Sequence, residues 1–450
     1  MFTLAEIAAA TNGKIIRGSP EIKLAGISTD TRTTKPGDLF IAIKGPRFDG
    51  HDFLDSALQK GAKAVVAEQR RPVPVNAAAL LVKNSVEALG AIANFHRRRF
   101  NIPVIAVTGS NGKTTTKDMI AWVLARQAKV LKNEGTKNNH IGVPLTLLGL
   151  DFSYDFAVLE MGTNHPGEIK RLSDIARPDI GVITNVAAAH LEFFKTVRGV
   201  FEEKAALLEN LNANGLSLIN ADDALLNKLK SNKKAITFGI KEKCDFRAKD
   251  VSQDERRIRF SVHGHEFSLY SLGLYNVYNA LAAITSARLF GLDYRVISRA
   301  LADFLPPGMR MQVERINGAV IINDAYNANP ASFRAALEVL ENYKTKGRKI
   351  LVIGEMLELG AEAARLHREL GRKIGSSDVD ILVGAGRLAG FACDAARKAG
   401  LNKRSVYFCQ DSGEAAGILK NALLPDDVVL IKGSRCCGME NVIRHLKKIN

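Results

Sequence analysis

No apolar run in this sequence approaches the ~20 residues that cross a bilayer, so no transmembrane segment is expected. Its first residues, MFTLAEIAAATNGK, lack a basic leader and carry Glu6 within their apolar part, so a secretory signal is not expected either. Five cysteines in 450 residues, an odd number without C-x-x-C spacing, favour free thiols in a reducing compartment over a disulfide framework. The adjacent Cys436 and Cys437 are read as unpaired thiols. One tryptophan, 6% aromatic residues and no recognisable RNA- or DNA-binding module argue against a nucleic-acid partner, despite a formal charge of +16. The basic residues are spread along the chain, which suits polyanionic small substrates drawn into a basic cleft. Low-complexity tracts and repeats are also missing. What remains is ordinary globular material, 46% hydrophobic and 24% charged, and long enough for two or three domains.

The stretch VIAVTGSNGKTTTKDMI at 104–120 organises the rest. A short apolar run, read as a buried strand, breaks into Gly109-Ser110-Asn111-Gly112 and then into an amphipathic helix pattern beginning at Thr114. That order is a phosphate-binding loop. Backbone N–H groups and the helix dipole face an anion, Lys113 reaches the β- and γ-phosphates, and the Thr114 hydroxyl is placed for Mg2+. The spacing departs from the common G-x-x-x-x-G-K-[ST] form, because Val107 stands at the first glycine position.

The fold expected is α/β in three domains: a small N-terminal α/β domain at 1–100, a central phosphate-loop domain with a mostly parallel sheet at 101–307, and a doubly wound, Rossmann-like domain at 308–450. Consecutive Pro306-Pro307-Gly308 marks the second boundary. In the first domain Ser28, Thr29, Asp30, Thr31 and Arg32 gather hydroxyls, a carboxylate and a guanidinium suited to a sugar nucleotide; alone they also read as a polar loop. The loop Gly45–His51 could close over the same ligand. In the central domain, ligands are expected at the carboxyl ends of strands. Glu160 ends one such strand and suits Mg2+, directly or through water. Asn185 ends another, and His190 follows it, although magnesium prefers oxygen ligands. Lys204, in the helix pattern at 200–211, reads on its own as a solvated helix lysine. Thr136, Asn138, Asn139 and His140 lie on a polar loop. Asn276 and Asn279, at a helix start, suit a base or sugar, although capping explains one of them.

In order, GSNGKTT, STDTR with PGDLF, NNHIGVP, EMGTNHPGEI, ITNVAAAHLEFF, NVYNALAA, DAYNANP, GEMLELG and KGSR resemble the Mur ligases of peptidoglycan synthesis over the whole chain. DAYNANP and GEMLELG resemble the members that add a dipeptide, D-alanyl-D-alanine, to the tripeptide of UDP-N-acetylmuramoyl-tripeptide. The resemblance implies domains for the UDP-substrate, for ATP and for the incoming amine, in a monomeric bacterial cytoplasmic enzyme using ATP and Mg2+. It puts Gly109 to Thr115, Asn138, Asn139, Asn276, Asn279, Arg310 and Asp324 at the nucleotide, and Ser28 to Arg32, Asn327 and Asn329 at the substrate. It makes Thr114, Glu160, His190 and Lys204 metal-site residues, Lys113, His190 and Lys204 catalytic, and Lys204 an N-carbamoylated lysine, reversing the plain reading. Thr31 stands where many relatives have Ser, and Cys436-Cys437 replace the Gly-Met usual after KGSR. The reaction implied activates the tripeptide carboxylate as an acyl phosphate, which the dipeptide amine then attacks. The alternatives are a Mur-type ligase adding a single amino acid, and a nucleic-acid-stimulated phosphate-loop ATPase.

Overall fold

The structure is a computed structural model that describes residues 2–69, 71–231 and 234–448. Three main sheets follow one another along the chain. The first has the order Lys14–Arg17, Ala78–Val82, Ala64–Glu68, Leu39–Ile41 and Ile27–Ser28, parallel except at the Lys14–Arg17 edge. Helix Leu4–Thr11 starts two residues later than its apolar spacing suggests. Phe2 and Thr3 pair with Leu24 and Lys23 instead, and Thr3 closes a capping box with Glu6.

The central sheet is seven-stranded and wholly parallel: Phe246–Arg247, Ala235–Gly239, Leu216–Asn220, Ile180–Ile183, Val104–Thr108, Phe156–Glu160 and Val130–Lys132. Its middle strands are unbroken apolar runs because helices cover both faces. After Val104–Thr108 the chain first builds the Val130–Lys132 edge, returns to Phe156–Glu160, then crosses to Ile180–Ile183 and moves outward. The switch point, where such sheets hold ligands, is thus the carboxyl end of Val104–Thr108. Helices Lys113–Leu124 and Tyr275–Leu289 pack together over this sheet through Met119, Ile120, Val123, Val277, Leu281 and Ile284.

A three-stranded antiparallel sheet, Lys249–Gln253, Ile258–Val262 and His265–Leu269, departs from the repeated strand-loop-helix pattern. Ile258, Phe260, Val262, Phe267 and Leu269 alternate inward onto the same core, while Arg259 and Glu266 face out. The third sheet runs Gln312–Ile316, Ala319–Asp324, Val428–Lys432, Lys349–Ile353, Ile381–Ala385 and Val406–Cys409, parallel except for its first strand. The expected boundaries fall in segments without helix or strand, 98–103 and 303–311. Across the first, the buried Arg97 guanidinium donates to the carbonyls of Phe100, Ile102 and Ala176, fastening helix Ser85–Arg97 to the central domain.

Candidate active site

The segment 104–115 forms the expected strand, turn and helix, with the helix opening at Lys113 and Gly112 as its N-cap at φ 80°. The missing first glycine is explained locally. Val107 is a buried strand residue, and the tight turn begins instead at Gly109, whose φ is 148° and where a Cβ would stand 1.9 Å from Thr184 Oγ1. That hydroxyl donates to the Asn111 carbonyl at 2.6 Å. Asn185 clamps the turn further: its Oδ1 accepts from Asn111 N–H, its Nδ2 donates to Asn111 C=O, and its own carbonyl accepts from Ser110 N–H. With the Ser110 and Asn111 amides engaged there, the first N–H groups of the helix from Lys113, which have no intrahelical partners, are the donors left for an anion.

Lys113 is half-buried rather than exposed. Its ammonium folds back to donate to the Gly109 carbonyl at 2.8 Å and the Ser110 carbonyl at 3.4 Å. Burial pushes its pKa below the ordinary lysine value, with the Glu160 carboxylate opposing and Arg310 reinforcing the shift. Glu160 ends the neighbouring strand in register with Val107 and is 2% exposed. Its Oε1 accepts from Asn138 Nδ2 at 2.7 Å, while Oε2 is buried and has no hydrogen-bond partner among the described residues. An orphaned carboxylate oxygen is costly unless something fills its lone pairs. A hard cation held by one carboxylate, the Thr114 hydroxyl, phosphates and water fits that oxygen. Among the described residues no three His, Cys, Asp or Glu side chains converge on such a point.

Lys204 overturns its solvated-helix reading. Helix Val197–Glu209 turns Glu203 and Lys204 inward, and Lys204 is 1% exposed. No hydrogen bond or ion pair to its ammonium occurs among the described residues, and burial, helped by Lys113, lowers its pKa to about 7. Glu203 holds this helix against the strand-end loop, accepting from Thr163 Oγ1, Gly167 N–H and Ile169 N–H.

Asn276 and Asn279 are buried, and neither caps the helix, whose N-cap is Leu274; the capping explanation is therefore wrong. Asn279 accepts from Thr116 Oγ1 and donates to Asn276 Oδ1, and its Oδ1 would meet a Cβ at Gly112 at 2.4 Å. The pair thus backs the phosphate loop. Asn139 accepts from the Ile141 and Gly142 amides and stabilises a turn beside Asn138.

The third domain reaches the loop at several points. Arg310 stacks on Tyr326 and donates through Nη2 to Thr114 Oγ1 at 2.8 Å. Asn329 caps helix Pro330–Asn342 and donates through Nδ2 to Asn111 Oδ1 at 2.7 Å. His190, at φ 54°, pairs through Nδ1 with Glu358, on the GEMLELG loop. Asp324 pairs with buried Lys432, which also donates to the Asn327 carbonyl, and Asn327 itself is exposed. Ser434 accepts from Leu357 N–H, joining the KGSR and GEMLELG loops, and exposed Cys436 follows it.

Ser28 to Arg32 lie apart from this cluster, at the carboxyl end of Ile27–Ser28. Buried Ser28 bonds Thr34 and the Asp30 backbone, and Arg32 holds the Asp30 carboxyl down to about 2. Thr29 and Thr31 are half-buried, and Arg32 is exposed. A cavity of about 760 Å3 lies at the opposite, amino ends of the central strands, lined by Arg97, Arg177 and Asp179, and takes no part in the cluster.

Three family models match successive parts of the chain: "Mur ligase family, catalytic domain" at 23–97, "Mur ligase middle domain" at 107–287 and "Mur ligase, glutamate ligase domain" at 309–435. The UDP-N-acetylmuramoyl-tripeptide–D-alanyl-D-alanine ligase of Bacillus subtilis (strain 168) is 37% identical over 425 residues, covering 94% of this chain and 93% of the relative. The Escherichia coli (strain K12) ligase of the same name is 34% identical, covering 99% and 98%. A crystal structure of MurF from Acinetobacter baumannii superposes with a TM-score of 0.90 at 30% identity over 99% of both chains. MurF from Thermotoga maritima in complex with ADP does so at 0.84 and 30% identity, over 95% of this chain and 99% of that one. With its three domain models in order and relatives matched end to end, the chain belongs to the Mur ligase family.

Proposed function

We propose that this chain is the ATP-dependent ligase that joins D-alanyl-D-alanine to UDP-N-acetylmuramoyl-tripeptide, giving the pentapeptide nucleotide, ADP and phosphate for peptidoglycan synthesis. The observation that carries the reading is the convergence on one phosphate loop of Lys113, partnerless Glu160 Oε2, buried Lys204 and Arg310 from the third domain. The relatives named for this reaction, matched along nearly their whole length, support the choice of substrates. Such an enzyme works as a monomer in the bacterial cytoplasm, where the nucleotide precursor and ATP are found.

A carboxylate is a poor electrophile. The tripeptide's terminal carboxylate oxygen first attacks the γ-phosphorus of ATP, ADP leaves, and an acyl phosphate forms. The phosphate loop orients the triphosphate, and Lys113, swinging from the Gly109 carbonyl, neutralises the transferring group. The amine of D-alanyl-D-alanine then adds to the acyl carbon, and expulsion of phosphate with loss of the amine proton leaves the amide. Lys113 and Arg310 stabilise the oxyanion on the way. Thr114 and Glu160 would hold Mg2+, which supplies charge neutralisation on the phosphates.

Lys204 belongs to the same reading as an N-carbamoylated lysine. A neutral amine adds to CO2, forming an N–C bond and releasing a proton, and burial with no hydrogen-bonding partner among the described residues favours the neutral amine. The product is a carboxylate-like anion in place of that buried amine. Asp30 and Arg32 would take the nucleotide-sugar end of the substrate, and Asn327 the peptide end. The test is phosphate release with ATP and UDP-N-acetylmuramoyl-tripeptide, with and without D-alanyl-D-alanine. Release that requires the dipeptide supports the reading. Release that follows a single amino acid, or DNA or RNA, refutes it.

A further inference from the structure

The edge strand Val130–Lys132 pairs with Phe156–Glu160 through Val158↔Lys132, and the backbone ladder stops there. Asn133, the next residue, is fully buried and takes over the pairing with its side chain. Its Oδ1 accepts from Glu160 N–H at 2.8 Å, and its Nδ2 donates to Glu160 C=O at 3.0 Å. An asparagine amide carries one acceptor and a donor in the same relation as a peptide group, so it continues the sheet for one residue while its own backbone turns away. Its side chain and its freed backbone carbonyl then each serve one further element. The same Nδ2 donates to the Lys137 carbonyl at 2.9 Å, shaping the loop that delivers Asn138 to Glu160 Oε1. The Asn133 carbonyl accepts at 2.7 Å from Lys117 Nζ, a buried ammonium one turn beyond Lys113 in the helix that follows the phosphate loop.

Glu160 is therefore fixed at its N–H, its C=O and one carboxylate oxygen, and the free Oε2 is the atom left over. We infer that Asn133 is a positioning residue that sets the direction of the Glu160 carboxylate relative to the phosphate loop. The inference rests on the reading of Glu160 as a cation-holding carboxylate. An aliphatic side chain of similar size would fill the space but could satisfy neither backbone group of Glu160. Aspartate would keep the acceptor for Glu160 N–H and lose both donated bonds.

The test uses the full chain with Mn2+ as probe, measured by electron paramagnetic resonance in the presence of saturating ADP, beside calorimetric ADP binding without metal. Glu160→Gln should lose Mn2+ binding. Asn133→Asp should weaken it about tenfold while metal-free ADP affinity stays as in the unmodified chain, since the loop is untouched. Asn133→Ser, which is small and keeps one hydrogen-bonding oxygen, serves if the aspartate variant does not fold, and should show the same separation. Mn2+ binding unchanged in both Asn133 variants overturns the inference. An equal loss of metal-free ADP affinity also overturns it, because the effect then runs through Lys117 and the phosphate loop. Mn2+ binding retained by Glu160→Gln instead removes the cation reading of Glu160, a failure separate from that of Asn133.

Discussion

Replacing Lys204 by methionine should abolish turnover and stabilise the fold, and both effects trace to the same buried amine. At 1% exposure, with no partner among the described residues, its pKa falls from 10.5 to about 7. At 1.36 kcal/mol per pH unit that is ~5 kcal/mol charged to the protonated form. The sign follows from proton binding. Below pH ~7 folded and unfolded chains both hold the proton, and the penalty is complete. Between about 7 and 10.5 only the unfolded chain holds it, so the unfolding free energy rises with pH, and above 10.5 the penalty is gone. Relaxation and water entry reduce such penalties, so methionine should gain roughly 2–4 kcal/mol at pH 6. The gain should shrink at pH 9.5, read as denaturant midpoints in bicarbonate-free buffer. Ligase turnover should fall at least ~10²-fold, the scale for removing a preorganised charge from a reacting centre. With 13C-bicarbonate, the unmodified chain should show a carbamate carbon resonance that the variant lacks. In Lys204→Ala, which leaves space, acetate should restore part of the rate with saturation, and chloride at equal ionic strength should not. Wild-type turnover in either variant, or a stability change independent of pH, would refute the reasoning.

Lys113→Ala should lose ATP turnover and keep its fold, because among the described residues the ammonium bonds only loop carbonyls; circular dichroism with phosphate release checks both. Gly109→Ala, with its Cβ driven into Thr184, should destabilise by roughly 1–3 kcal/mol and weaken ADP binding, and Thr184→Ala should recover part of the loss in the double variant. Arg310→Ala combined with Asn329→Ala removes the third domain's side-chain hydrogen bonds to Thr114 and Asn111, so the radius of gyration from X-ray scattering should increase and respond less to ATP analogue plus muropeptide nucleotide.

Much of the site was legible because its chemistry is local. A strand, a glycine turn and GKTT specify a phosphate loop within a dozen residues, and a carboxylate ending a buried parallel strand sits at the ligand-binding edge by topology. The antiparallel sheet at 249–269 escaped notice because its outward residues are charged and its strands are linked by short turns inside a region otherwise read as strand and helix. Lys204 shows a different limit. Glu202-Glu203-Lys204 has the composition of a solvated helix face, and helical periodicity alone does not say which face meets the core. Glu203 decides it, through hydrogen bonds to backbone amides 36 and 34 residues earlier in the chain. The roles of Asn185 and Asn133 were hidden for a related reason: Asn185 acts on backbone groups of the phosphate-loop turn and Asn133 on those of a neighbouring strand, and such side-chain-to-backbone pairing between distant segments leaves no spacing rule in the sequence.

The charges at the switch point explain why such a site needs its ligands to be complete. Lys113, Lys204 and Arg310 bring cations toward a region where Glu160 supplies a buried carboxylate, and the downward shifts at both lysines record burial first, with repulsion from Arg310 added at Lys113 and from Lys113 added at Lys204. Repulsion of that kind is relieved by adding anions, and each element of the proposed reaction does so: the triphosphate at the loop, the substrate carboxylate beside it, and a carbamate on Lys204. The last would change the balance most, since it would put an anion at a fixed point in place of the buried amine and would let divalent cations enter where they would otherwise be repelled. Nucleotide, substrate carboxylate and CO2 should therefore bind with positive coupling. Calorimetric titration of ADP should show tighter binding in bicarbonate than in bicarbonate-free buffer, and the difference should vanish in Lys204→Met. Equal ADP affinity in both buffers for the unmodified chain would mean that the lysine's charge is not felt at the phosphates.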